Sequence, residues 1–334
     1  MILFKLAASV VLILSPLAIG IGYKIKLNTF YKIIIISMII TGIYSVLQWT
    51  VGIEATKIPG LNIAYGDTFA DKPIGYGFNG REALKMPSTY QNGNGIALFS
   101  LLAIFLIIPW KVKQKKWKII AIILSIVALI LSGSRSSLIP FIILIPYAIK
   151  KIYDKLKTKK QKVFLLLIIT LGISTLILYI AYSQSNIIEY AYERYILQTF
   201  SDSTGSGRTT QIQNVINYIT SRDFINMIKV LILGEEWGKA EFSEGIFNII
   251  SYYGIIVAIT FCILLLYPII KLHKKNKIEI LGLLAVFIAF MVDSSFNYPP
   301  ALMNYFLIAG VLLQRQKIEE NEKIKKEQEI WKWQ

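Results

Sequence analysis

Apolar residues run along this chain in blocks of roughly 13 to 25 positions, broken by short polar stretches. The blocks fall at 2–22, 33–52, 95–110, 119–133, 137–149, 163–182, 246–270, 279–297 and 300–313. A bilayer core about 30 Å thick needs about 20 residues of helix to cross it. Irregular backbone facing lipid would leave its N–H and C=O groups unpaired, so blocks of this length are expected as helices. The pattern predicts an all-α polytopic integral membrane protein with about nine transmembrane helices.

The connections between blocks alternate in character. One set is short and rich in lysine: 23–32, 111–118, 150–162, 271–278 and the tail 314–334. The other set is poorer in lysine: 53–94, 134–136, 183–245 and the turn near Tyr298 and Pro299. Most of the 36 Lys and Arg residues fall in the first set. Positive charge stays on the cytoplasmic side of short loops, so the first set is expected inside and the second outside. The net charge of +16 then reads as a topology signal and a contact with anionic lipid, not as a nucleic-acid footprint. This arrangement puts the N-terminus outside, which Lys5 slightly opposes. The alternative for 2–22 is a signal peptide with Pro16, Ala18 and Gly20 near its end. Against that, Lys24, Lys26 and Lys32 should hold the downstream end inside.

Two of the lysine-poor segments are large. The second has apolar residues at helical spacing, Ile212, Val215, Ile216 and Ile219, then Phe224, Ile225 and Ile228. One apolar face per helix predicts packing on the outer membrane face or on the outer ends of the spans. The organisation is then N-terminal transmembrane helices over 1–52, an external loop over 53–94 and transmembrane helices over 95–182. A large external helical loop follows over 183–245, then C-terminal transmembrane helices over 246–313 and a cytoplasmic charged tail over 314–334. That tail ends in Trp331 and Trp333 and reads as a solvated helix or, with those tryptophans as anchors, an interfacial one.

Composition agrees. Of 334 residues, 55% are hydrophobic and 17% charged, against about 45–50% and about 25% for a soluble domain. Cys262 is the one cysteine and His273 the one histidine. An intrachain disulfide is therefore ruled out, and a zinc site has almost nothing to use. The middles of the spans hold almost no ionisable residues, which argues against a proton-coupled pump. There is no DxD pair, Walker loop, G-x-S-x-G or H-E-x-x-H. An enzyme on this chain would have to offset phosphate charge with arginines, with no metal and no cofactor.

Polar chemistry gathers in the segments expected outside. Arg135 lies in LSGSRSSLIP, with Ser132, Ser134, Ser136 and Ser137 about it. The flanking blocks 119–133 and 137–149 span only about 22 and 20 Å at 1.5 Å per residue. This hairpin tip is therefore expected to sink into the outer leaflet, where a guanidinium fork suits a lipid phosphate. An arginine that snorkels to ordinary headgroups explains it equally. Arg81 follows Gly75, Gly77 and Gly80, and Asn92 and Asn94 lead into the next block. Arg208 lies in a Ser/Gly stretch where Thr209 or Thr210 could cap the following helix, whose amides would help bind an anion. Solvated loop arginines are the ordinary alternative for both. Glu235, Glu236, Glu241 and Glu244 approach the start of 246–270. A carboxylate beside the membrane face is a candidate general base, or an ordinary loop residue.

Taken in order, these segments resemble the O-antigen ligase and polymerase family of membrane glycosyltransferases, over roughly residues 70 to 310. Ser132-Gly133-Ser134-Arg135-Ser136 is similar to that family's small-residue and arginine turn. The stretch from Arg81 to Asn94 resembles its arginine-bearing external loop. Gly205-Ser206-Gly207-Arg208 resembles the arginine that opens its large external loop. Leu233-Gly234-Glu235-Glu236-Trp237-Gly238 is similar to its glycine-rich segment. Glu244-Gly245-Ile246-Phe247 falls where ligases carry His-Asn and many polymerases an acidic residue, which favours a Wzy-type repeat-unit polymerase of O-antigen or capsular polysaccharide.

The resemblance implies a GT-C-like fold and an inverting, metal-independent transfer between undecaprenyl-diphosphate-linked oligosaccharides. Its site would lie on the external face of the cytoplasmic membrane. Arg135, Arg208 and Glu244 would be the catalytic residues, with Arg81, Tyr90, Asn92 and Trp237 binding substrate. The implied partners are the lipid-linked donor and acceptor, with a chain-length regulator protein as a further candidate and no nucleic acid. The rival readings are a ligase moving finished glycan to another acceptor, a lipid-linked oligosaccharide flippase, and a structural or sensory membrane protein.

Overall fold

A computed structural model describes residues 9–56, 58, 85–90, 92–110, 115–156, 158–163, 167, 208–235, 244–273 and 278–331. Arg81, Trp237, Glu236, Glu241, nearly all of the 163–182 block and the side chain of Arg208 lie outside the described residues. The described residues are all helical or irregular. A short 3-10 turn at Ser15–Leu17 leads into α1 (Ala18–Lys24). Then come α2 (Leu27–Val51), α3 (Ile53–Thr56), α4 (Gly93–Ile107), α5 (Lys115–Leu131) and α6 (Arg135–Lys155). They are followed by α7 (Arg208–Thr220), α8 (Phe224–Leu233), α9 (Ile246–His273), α10 (Glu279–Val292) and α11 (Pro299–Trp331). Helices overlie the described part of each apolar block from 9–22 to 300–313, with nearly all of 163–182 outside the described residues.

Burial sorts these helices into a centre and a jacket. Every residue of α4 but Asn94 is buried, and most of α10 is buried, with Ile288 and Val292 exposed. Around α4 stand α5, α10, α6, α11 and α2. The jacket helices keep apolar residues outward. On α2 these are Ile33, Ile36, Ile40, Ile43 and Leu47; on α9 they are Ile256, Ile259, Ile263 and Ile270. Stripes this long leave more apolar surface than a chain in water exposes. Three helices, Leu27–Val51, Arg135–Asp154 and Ile246–His273, are long and apolar enough to cross a membrane. The fold is consistent with a helical membrane protein.

Small residues set the closest contacts. A Cβ on Gly22 would lie 2.1 Å from the Leu307 carbonyl, and one on Gly310 would lie 2.2 Å from that of Ile19. Such contacts pack α1 against α11 at backbone range, the usual device where lipid removes any hydrophobic drive between helices. The described part of the first apolar block, from Ser9 on, thus packs into the bundle. Ser9 bonds Tyr253 toward one end, and Lys317 sits over the Tyr23 ring toward the other. So α1 runs parallel to α11.

The helices alternate in direction. The described parts of 53–94, 132–134, 244–245 and 293–298 gather at one end, around Asp293. The described parts of 23–32, 111–118 and 271–278 lie toward the other, the Arg315 end, from which the tail helix continues. Among the described residues, each end thus holds connections from one of the two sets that differ in lysine content.

Several boundaries differ from the sequence reading. Helix α6 continues through Lys150 and Lys151 to Lys155, so its 21 residues span about 31 Å. It is long enough to cross a bilayer, so its length gives no reason for the Arg135 turn to sink. Nor do α5 and α6 form a close hairpin: α5 packs mainly on α2 and α4, and α6 on α10. The block 279–297 is not one helix. It ends at Val292 and continues as a 3-10 turn, Ser294–Asn297. The tail is no separate element, because α11 runs unbroken into it. Helix α7 already begins at Arg208, which puts Thr209 and Thr210 in the first turn and not at the cap.

Candidate functional site

The α10 helix stops where its apolar run meets Asp293-Ser294-Ser295. Asp293 takes an extended backbone conformation, and its Oδ1 accepts from the Ser295 amide at 2.9 Å and from the Ser295 hydroxyl. Such a side-chain turn offers the backbone an alternative to another helical turn. Pro299 then starts α11, at a position where a missing N–H costs nothing. The other carboxylate oxygen of Asp293 reaches outward. Asn94 Nδ2 donates to it at 2.8 Å and Ser136 Oγ at 3.4 Å. Asp293 is only 5% exposed. One buried carboxylate thereby ties together the end of α10 and the beginnings of α4 and α6.

The start of α9 joins the same knot. The Gly245 amide donates to Ser294 Oγ at 3.0 Å. Gly245 has φ +64, and a Cβ there would lie 2.1 Å from the Met291 carbonyl, so only glycine fits. This close approach seats Glu244 beside the turn that follows α10. One helical turn later, Asn297 Nδ2 donates to Asn248 Oδ1 at 3.2 Å, while Asn297 Oδ1 is buried with no partner among the described residues.

Arg135 is half-buried at the first position of α6. Its serines are buried and bond one another: Ser132 Oγ accepts from the Ser134 amide at 3.2 Å, and Ser134 Oγ lies 3.2 Å from Ser136 Oγ. They build the turn at the start of α6. Gly93 closes the turn from the other side, since a Cβ there would lie 2.2 Å from the Ser132 carbonyl.

The segment before α4 is pinned in two places. Gln48 and Ser88 exchange hydrogen bonds of 3.3 and 2.7 Å, and the Met86 amide donates to the Leu131 carbonyl at 3.1 Å. Asn92 Oδ1 accepts from the Gly95 amide at 2.8 Å, which makes it the N-cap of α4. Tyr90 lies between Phe99 and Tyr298, and its hydroxyl accepts from Asn304 Nδ2 at 3.4 Å. Burial pushes that hydroxyl far above the usual tyrosine range, so it stays protonated.

The glycine-rich stretch after α8 has a packing role. A Cβ on Gly234 would lie 2.5 Å from the Tyr252 backbone, and one on Gly254 would lie 1.9 Å from the Ile232 carbonyl. Gly254 is also where α9 leaves helical geometry, with φ +82. The C-terminus of α8 thus locks into a kink in α9. Glu235 is fixed there: its amide donates to the Ser251 carbonyl at 2.8 Å, and its carboxylate pairs with Arg222 at 2.6 Å and accepts from Tyr218 at 3.0 Å.

The structure therefore brings Tyr90, Asn92, Arg135 and Glu244 to one end of the bundle, each within a few residues of a bond in the Asp293 knot. The first turns of α4, α6, α9 and α11 meet there. The positive ends of helix dipoles favour an anion at such a place. Sequence reading passed over Asp293, Asn248 and Asn297, all of which lie inside or beside apolar blocks. The signal for Asp293 was present as Asp-Ser-Ser shortly before Pro-Pro. Among the described residues no cluster of three or more His, Cys, Asp or Glu side chains could hold a metal ion. No family profile matches this chain, and no curated protein does.

Proposed function

We propose that this protein is a multi-pass membrane glycosyltransferase with a GT-C-like arrangement of about nine spans. It would join undecaprenyl-diphosphate-linked oligosaccharide repeat units at the outer face of the cytoplasmic membrane, as in O-antigen or capsule synthesis. An acceptor hydroxyl oxygen attacks the anomeric carbon of the donor. The bond from that carbon to the diphosphate breaks, and the lipid diphosphate leaves. Glu244 takes the hydroxyl proton. Arg135 and Arg208 stabilise the negative charge that develops on the leaving group, a task for preorganised cations where water is scarce. Arg81, Tyr90, Asn92 and Trp237 bind the two substrates.

The observation that carries this reading is the gathering of Tyr90, Asn92, Arg135 and Glu244, from remote parts of the sequence, at one polar end of an apolar bundle. The helix starts beneath them supply the field that a diphosphate needs. The reading is tested in the host by Arg135→Ala and Glu244→Gln. Each should abolish the polymer ladder of the surface glycan while single repeat units accumulate on lipid. Normal chain lengths in both variants, at wild-type protein levels, would refute it.

A further inference from the structure

The residues assigned to the reaction sit on the ends of different helices, so something must fix those ends relative to one another. The buried carboxylate of Asp293 occupies that position. Its Oδ2 takes hydrogen bonds from Asn94, two residues after Asn92, and from Ser136, the neighbour of Arg135. Its Oδ1 shapes the turn whose Ser294 holds the amide of Gly245, the neighbour of Glu244. We propose that Asp293 is a positioning residue for glycosyl transfer, the shared acceptor that holds the Arg135 and Glu244 helix ends in register; this rests on the polymerase reading.

An acceptor-only group suits the task. Asn94, Ser136 and Ser295 each bring a donor, and a carboxylate has lone pairs for all of them. Asparagine at 293 would keep the shape but turn one acceptor into a donor facing the Asn94 amide. Buried groups left without partners lose the register before they lose the fold.

The test uses the full-length protein in lipid nanodiscs, with a synthetic lipid-diphosphate-linked oligosaccharide as substrate. Spin labels go on Ile139→Cys in α6 and Ile256→Cys in α9, both exposed, in a Cys262→Ala background. In Asp293→Asn, and more mildly in Asn94→Ala should the first variant fold poorly, the label-to-label distance distribution should broaden. In the same variants kcat should fall at least about tenfold while KM stays within about twofold. Arg315→Ala at the far end should leave the distribution sharp, which separates positioning from general loss of stability. A distribution unchanged in both variants, or a rise in KM with kcat intact, would overturn the proposal. If the distribution broadens but the wild-type protein elongates no substrate, the helix-end link stands and the functional reading falls.

Discussion

The two ends of the bundle meet the same physical problem in opposite ways. At the Arg315 end, charge is buried against charge. Glu279, 3% exposed, pairs with Arg315 at 2.5 Å, and Arg315 also reaches Glu319 at 2.9 Å. Tyr31 stacks on Trp110 with ring centroids 3.6 Å apart, and the Arg315 guanidinium lies over the Trp110 ring. Lys118 donates to the carbonyls of Ile108 and Trp110 at 2.7 Å each, covering the C-terminus of α4. Glu279 sits in the first turn of α10 and Lys118 below the last turn of α4, so both complement a helix dipole.

At the Asp293 end, a buried aspartate is held by uncharged donors, the Asn94 amide and the hydroxyls of Ser136 and Ser295. The backbone there is also less regular, with positive φ at Ser88, Gly133 and Gly245. Helix starts converge there, with Arg135 and Glu244 beside them. The difference teaches where to look for chemistry. A closed ion-pair cluster holds a bundle together, whereas converging helix starts stay receptive to an anion.

That comparison can be broken experimentally. The largest stability loss should come from Arg315→Ala, which strands the Glu279 carboxylate at a cost of about 3–5 kcal/mol. The melting temperature in detergent checks it, and adding Glu279→Gln should restore much of the loss. A partner variant that restores nothing would mean the pair is not coupled. Next comes Gly245→Ala, which forces a side chain into the left-handed region against the Met291 carbonyl. Strain of about 1–3 kcal/mol is expected, with glycan elongation lost more completely than stability, because Glu244 moves. Elongation at the wild-type rate would separate Glu244 from the site.

Smaller again is Asn92→Ala, which removes the cap of α4 for about 1 kcal/mol. If Asn92 also touches sugar, KM for the lipid-linked unit should rise beyond what that loss explains, and steady-state kinetics decide. The smallest effect should be Lys323→Ala. It breaks an exposed i,i+4 pair with Glu327 worth about 0.3–0.5 kcal/mol, and neither melting nor elongation should change measurably.

Much of the fold was legible because lipid imposes one rule on every segment. Apolar runs near bilayer length become helices. The helices over 27–51, 93–107 and 115–131 follow closely from that rule. Boundaries were less legible where apolar composition continued past a break. The 279–297 block hides the turn at Asp293, since Phe296 and its neighbours keep the average apolar. The 300–313 block hides a helix that continues into a charged tail, because charge ends a span without ending a helix. At the site, Arg135 and Glu244 stood out by residue type. Asp293 did not, because one aspartate at a block's end looks like any turn residue until its partners are known.

The sequence by itself determined the helices and the polar residues that could do chemistry, since each depends on local composition against a fixed solvent. Only the tertiary structure decided which of those residues share a place. The bonds from Asn94, Ser136 and Ser295 to Asp293, and the seat of Gly245 on Met291, join positions far apart in the chain. Hydrogen bonds and backbone contacts of that kind depend on distances in space, which no periodicity along the sequence encodes.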